Sequence, residues 1–278
     1  MIYGYFYSHL LGDEIHDKLE FEASERMDCL VNTIRKHKLI FFYIFTFLLT
    51  GIFFFVPALL FPNVSFPFFQ LPPAIVTFAM IAVLNKTDGS KSFCKGLFPV
   101  GFHWKWVVAS ALLPFTIVLT ATIAESVLHG QGFNSVQLLT PGAILAMAAG
   151  VIGEEIGFRG YMLPLLLKQH NSLMAGIISG TLWALWHAAY YGEGLGFLLF
   201  AVGTIALAII MTWLYHKSNG NIISAILFHF TMNFCATIIP ESEMSSLERR
   251  AIYAVVSVTL AVILIFVSSV FRSKKDSA

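Results

Sequence analysis

Charge is scarce in this chain: Asp, Glu, Lys and Arg make up 12% of its 278 residues, and the formal net charge is +1. So little charge sets it apart from ordinary soluble domains, where about a quarter of residues are charged. There is no basic stripe or nucleic-acid-binding motif, which argues against nucleic acid as a partner. Cysteine is equally sparse. Cys29, Cys94 and Cys235 form no CxxC pair, and an odd number cannot all pair within one chain, so neither a disulfide scaffold nor a zinc ribbon is expected. Met1 to Tyr7 is aromatic and without a basic residue, and Gly12-Asp13-Glu14 follows soon after, so the pattern of a cleaved signal peptide is missing and the N-terminus is expected to stay. Internal repeats and low-complexity linkers are not evident either.

What the chain has is apolar surface. Apolar residues account for 57% of the sequence and the mean hydropathy is +0.77, values that belong to polytopic membrane proteins. The fold class expected is therefore all-α, a polytopic membrane helix bundle with about eight transmembrane helices and an N-terminal amphipathic segment. A span needs around 20 helical residues. Segments of that kind run near Leu39 to Phe61, Phe68 to Leu84, Trp106 to Leu128, Thr140 to Leu167, Leu173 to Tyr191, Gly196 to Tyr215, Ile222 to Ile239 and Ala251 to Phe271. The simplest division is a cytoplasmic amphipathic segment over 1–38 and one transmembrane bundle over 39–278. Ile15, Leu19, Ala23, Met27, Leu30 and Ile34 recur at three or four residues, the spacing of a helix lying on the membrane or packed on the bundle. Pro57, Pro72-Pro73 and Pro114 fit kinked or late-starting helices.

Basic residues orient the bundle. Arg35-Lys36-His37-Lys38, then Lys86, Lys91, Lys95 and Lys105, then Lys168, Lys217, and finally Arg272, Lys274 and Lys275 occupy alternate connections. The intervening ones, Pro62 to Pro67, His129 to Leu139 and Gly192 to Leu195, hold no Lys or Arg. By the positive-inside rule both termini are cytoplasmic. Arg249 and Arg250 break the alternation, beside Glu241, Glu243 and Glu248.

Against this background Gly153-Glu154-Glu155-Ile156-Gly157-Phe158-Arg159-Gly160 demands explanation, because a charged side chain at the bilayer centre costs at least about 2.5 to 3.5 kcal/mol. Thr140-Pro141 reads as an N-cap followed by proline at the first helical position. Glu154 then lies roughly 20 Å along the helix. Glu155 and Arg159, at i and i+4, can pair, whereas Glu154 points about 100° away and need not share that partner. Gly150, Gly153, Gly157 and Gly160 offer bare backbone to a close helix or a substrate strand. On the next helix Gly176, Gly180, Ala184 and Ala188 form a packing line beside Ser179, Trp183 and His187. On the seventh, Asn221, Ala225, His229, Asn233 and Thr237 share a face. Taken singly, a membrane histidine or a His-xxx-Asn pair is often interhelical glue. Together Glu154, His187, His229 and Asn233 suit hydrolysis of a peptide bond. Glu154 would deprotonate a water, His187 would hold it or relay the proton, and His229 with Asn233 would donate to the oxyanion.

These motifs resemble those of the CPBP family, the CAAX prenyl endopeptidases and bacteriocin-processing or immunity proteins also called Abi. Glu154-Glu155-Ile156-Gly157-Phe158-Arg159 matches its Glu-Glu-xxx-Arg, Trp183-Ala184-Leu185-Trp186-His187 its Phe-xxx-His with tryptophan for phenylalanine, and His229-Phe230-Thr231-Met232-Asn233 its His-xxx-Asn. The resemblance implies a protease-like core over 140–239, Glu154, His187, His229 and Asn233 as catalytic, and Glu155 and Arg159 as supporting. Trp183 keeps the aromatic wall of the motif. It further implies an intramembrane endopeptidase acting on hydrophobic or lipidated peptides or proteins, in contact with membrane lipid, in a bacterial-type cytoplasmic membrane. No cofactor is expected. The alternatives are a zinc enzyme with Glu154, His187 and His229 as ligands, although a His-Glu-xxx-His helix is absent, and a non-catalytic peptide-binding or immunity protein. Glu154 and His187 pose a question of depth: with the boundaries above, the first lies toward the inner half of its helix and the second toward the outer face of the next. Trp183, Trp186, Tyr190 and Tyr191 are candidates to line an apolar substrate cavity.

Overall fold

A backbone placed in hydrocarbon must satisfy its polar groups internally, and helix does this within one segment. The computed structural model describes residues 13–60, 70–85, 89–99, 103–130, 136–188, 194–239 and 246–272, and among them there is no strand. In chain order the helices are α1 (Asp13–Lys36), α2 (Lys38–Leu60), α3 (Pro72–Asn85), α4 (Gly89–Leu97), α5 (Trp104–His129) and α6 (Pro141–Glu155). A π-helical stretch (Ile156–Met162) joins α6 to α7 (Leu163–Leu167) without a break. Then come α8 (Ser172–Trp186), α9 (Gly194–Lys217), α10 (Ile222–Ile238), α11 (Ser246–Val267) and α12 (Ser269–Arg272).

Among the described residues, five helices are long and apolar enough to cross a membrane: Lys38–Leu60, Trp104–His129, Pro141–Leu167, Gly194–Lys217 and Ser246–Val267. Pro72–Leu84, Ser172–Trp186 and Ile222–Ile238 are apolar but shorter. The segments expected from Phe68 and to Tyr191 are thus clipped. Phe61, Pro62 to Pro67, Phe68, Lys86, Tyr190, Tyr191, Gly192, Glu241, Glu243, Lys274 and Lys275 lie outside the described residues. Proline behaves as its geometry dictates. Pro72 opens α3, where a missing N–H costs nothing, while Pro57 and Pro114 are carried inside α2 and α5.

One element was not expected. α4 occupies the basic loop after α3. Phe93 meets Phe78 and Tyr161 at ring distances of 5.8 and 6.5 Å, and Leu97 is buried. Two apolar residues one turn apart are enough to seat a nine-residue helix on the bundle, too little for a hydropathy scan to register. α1 forms over the amphipathic stretch, with Ile34 buried but Leu19, Met27 and Leu30 exposed.

Basic side chains gather at one end. Lys105 and Lys217 both reach the ring of Trp106, Ser172 and His216 bond across α8 and α9 at 2.9 Å, and Arg35 donates to the Leu84 carbonyl. At the other end Arg249, which breaks the alternation, lies 3.4 Å from Glu125 of α5 in an ion pair.

Glycine sets the helix spacing. A Cβ at Gly176 or Gly180 would meet Ile209, Ile205 and Ala208, so this pair seats α8 against α9, as its spacing predicts. On α6, Gly150 and Gly153 face Gln70 and Leu71, and Gly157 faces Pro73. The groove opened by these three glycines is filled by the start of α3.

Candidate active site

Thr140 caps α6 through a 3.2 Å bond from the Ala143 N–H to its hydroxyl, and Pro141 follows at the first helical position. From this start the helix runs through the π-helical stretch to Leu167. Pro164 supplies the local reason for the change of pitch: it has no N–H to offer the carbonyl four residues back. Just before it, Leu163 donates to Phe158, five residues away.

The turn after Leu167 settles the question of depth. Glu154 lies 13 residues before Leu167 and His187 lies 15 after Ser172, about 20 and 22 Å from the same turn at the helical rise. The two are level. Counting from the Thr140 end misleads because α6 to α7 is longer than one span.

Glu154 and Glu155 are both fully buried and serve different partners. Glu154 accepts one N–H on each oxygen: Gln70 donates to Oε1 at 2.6 Å and the indole of Trp183 to Oε2 at 2.8 Å. His187 Nε2 is 4.0 Å from Oε2. The His187 ring is turned by its other nitrogen, which bonds the Trp183 carbonyl at 2.9 Å. Since a carbonyl can only accept, Nδ1 carries the hydrogen, and in the neutral ring it is Nε2 that presents a lone pair toward Glu154.

Glu155 Oε1 receives Arg159 Nη1 at 3.1 Å and His229 Nδ1 at 2.8 Å. Its pairing with Arg159 is the one the i, i+4 spacing gives. The histidine is an addition: sequence spacing leaves His229 to Glu154, whereas the fold hands it to Glu155. The guanidinium of Arg159 also lies 4.0 Å from the centre of the Trp183 ring, a cation–π contact, and donates to the Met211 sulfur. Trp183 thereby touches both Glu154 and Arg159. It packs edge-on against His229 and His187 at ring distances of 5.1 and 5.7 Å. The tryptophan that stands for phenylalanine in the second motif therefore does more than preserve a wall, because no phenylalanine could donate to Glu154.

Trp183, His187, His229, Asn233 and Gln70 line one cavity of about 380 Å³. Leu199, Phe200, Leu207, Met211, Phe228 and Met232 supply its apolar walls, and Arg249, Arg250 and Tyr253 line it too. Asn233 lies one turn beyond His229 on α10. Along that helix the face predicted from spacing passes from Asn221, which caps the N-terminus, through buried Ala225 and His229 to exposed Thr237. Trp186 faces elsewhere and bonds Thr50 of α2.

Gln70 is the member of this cluster that sequence reasoning missed. It precedes a helix in a polar-poor stretch, and its partner is 84 residues away. The only signal was the glycine groove on α6.

The zinc alternative asks Glu154, His187 and His229 to converge. Instead both oxygens of Glu154 are bonded to N–H donors and His229 turns Nδ1 to Glu155. Among the described residues no three His, Cys, Asp or Glu side chains are grouped so as to hold a metal ion. The donor set does not fit a three-ligand zinc site.

Residues 136–235 match the family model described as type II CAAX prenyl endopeptidase Rce1-like. A CAAX prenyl protease 2 of Methanococcus maripaludis is 27% identical over 193 residues, a match covering 59% of this chain and 68% of the relative. Lysostaphin resistance protein A of Staphylococcus haemolyticus is 24% identical over 176 residues, covering 60% of this chain and 47% of the relative. The matched segment begins just before α6 and ends within α10, so it contains all three motifs.

Proposed function

We propose that this chain, whose residues 136–235 match the Rce1-like CAAX prenyl endopeptidase model, is an intramembrane endopeptidase of the CPBP family that hydrolyses a peptide bond with a water activated between Glu154 and His187. The observation that carries the reading is the 4.0 Å separation of His187 Nε2 from Glu154 Oε2 beside an apolar cavity. That distance is too long for a direct hydrogen bond and suits two acceptors sharing one water. A water donating to both would keep its own lone pairs free for a carbonyl carbon. As the new C–O bond forms, Glu154 takes the proton, and it returns the proton to the peptide nitrogen when the C–N bond breaks. The products are a carboxylate and an amine.

His229 and Asn233 line the cavity one turn apart and are the donors for the oxyanion. His229 can act only through Nε2, because Nδ1 is committed to Glu155. Since that Nδ1 is a donor, Nε2 carries a hydrogen only in the imidazolium form, whose charge Glu155 compensates. Glu155 thus fixes the histidine in position, and Arg159 holds Glu155. None of these steps asks for a metal.

Substrate reaches the site from the membrane in this reading. The apolar walls fit an apolar side chain or an attached lipid, so the class is a hydrophobic or lipidated peptide or protein, with membrane lipid as the surrounding partner. The basic end of the bundle is the cytoplasmic one, with both termini there, in a bacterial-type cytoplasmic membrane.

The test is Glu154→Gln in chain reconstituted into lipid vesicles, with apolar and lipidated peptides as substrates. Cleavage is expected to be lost. Undiminished cleavage would sink the mechanism. In cells, the same substitution should abolish the difference in membrane and secreted peptides that the native chain produces.

A further inference from the structure

A base held by a single hydrogen bond can rotate about its last torsion, whereas Glu154 is held at both oxygens by donors from two different helices' ends. Trp183 belongs to the second motif. Gln70 belongs to none and lies two residues ahead of α3, whose first turn starts on the Leu71 carbonyl. Its placement is enforced by bare backbone. A Cβ at Gly150 would overlap the Gln70 amide, one at Gly153 would come within 2.9 Å of the Gln70 carbonyl oxygen, and one at Gly157 within 2.8 Å of the Pro73 carbonyl carbon. Real Cβ atoms do not make such contacts. With Pro72 and Pro73 stiffening the chain behind it, Gln70 is delivered to Glu154 along the three-glycine groove.

We propose that Gln70 is the positioning residue of the catalytic base, fixing the plane of the Glu154 carboxylate, and that the groove of Gly150, Gly153 and Gly157 exists to bring it there. The inference rests on Glu154 being the base. A carboxylate offers about four lone-pair sites, and the two donors take one on each oxygen, so capacity remains for a water. Because a carboxylate oxygen only accepts, the amide nitrogen of Gln70 must face it, leaving the amide oxygen on the Gly150 side. Removing the donor frees the carboxylate to turn away from His187 without altering the apolar walls.

Gln70→Met keeps the volume and removes the donor, and Gly150→Ala keeps Gln70 and evicts its amide. Each is expected to lower kcat about 10- to 100-fold, the range for one hydrogen bond to a charged group, with KM within about twofold of the native value. Because both break the same contact, the double variant should be no slower than the slower single. A difference infrared spectrum, native minus Glu154→Gln, should show the carboxylate stretch shifted in Gln70→Met even if turnover is too slow to follow. Native kcat in Gln70→Met, a raised KM with native kcat, additive losses in the double variant, or an unshifted carboxylate band would each overturn the proposal. If Glu154→Gln itself cleaves normally, the proposed mechanism fails first. If that variant is inactive while Gln70→Met is native, only the role of Gln70 fails.

Discussion

Replacing Glu155 with glutamine removes one charge while keeping the shape of the side chain, and the two partners it abandons are unequal. Arg159 is 1% exposed and always cationic, so its guanidinium would lose the one carboxylate it is bonded to. Breaking one side of a buried ion pair costs about 3 to 5 kcal/mol, a large share of the roughly 5 to 15 kcal/mol that holds a domain together. Glu155→Gln should therefore unfold at clearly lower denaturant or temperature, which intrinsic tryptophan fluorescence in detergent micelles can follow. Turnover should fall as well, because His229 loses the carboxylate to which its Nδ1 is bonded. The companion variant Glu155→Gln/Arg159→Met separates the two effects. With neither charge buried, most of the stability should return, but turnover should not. The reasoning is refuted if Glu155→Gln unfolds within about 1 kcal/mol of the native chain, or if the double variant recovers native turnover along with its stability.

Trp183→Phe restores the residue type of the second motif but deletes the 2.8 Å indole bond to Glu154, so kcat is expected to fall about tenfold or more in a peptide-cleavage assay. Asn233→Ala removes one oxyanion donor and should cost about 10²- to 10³-fold in kcat, with a much smaller change in thermal stability, since Asn233 is only half-buried. Treatment with a zinc chelator should leave cleavage rates unchanged, and loss of activity restored by added zinc would reverse the metal-free mechanism.

Much of this arrangement can be read from spacing because a helix converts residue number into direction. Thr140-Pro141 marks a helix start, the Glu155 and Arg159 interval gives their pairing, and Gly176 with Gly180 gives the α8 and α9 contact, each a consequence of 3.6 residues per turn. Contacts between distant helices have no such rule. That His229 would turn to Glu155, or that Gln70 would close on Glu154, depends on the azimuth and depth of whole helices, and sequence sets these only through the glycines and prolines that govern how closely they approach. The role of Trp183 was illegible for another reason. Its ring could be read as a wall, but its one hydrogen-bond donor finds a use only when a carboxylate is placed within 3 Å of it. The length of α6 to α7 misled in turn, because depth counted from the outer end ignores the part that runs beyond a single span.

The π-helical stretch at Ile156–Met162 has a bearing on how this chain can change over time. A helix that widens for one turn carries an extra residue without losing its continuity, so everything after Met162 is rotated relative to what an unbroken α-helix would give. Glu154 and Glu155 precede that shift and Leu163 to Leu167 follow it, so the reactive part and the part leading to the turn are aligned to their neighbours separately. No position of the stretch is exposed, and loss of a single residue would swing one half about a hundred degrees against the other. In this segment the number of residues matters as well as their type.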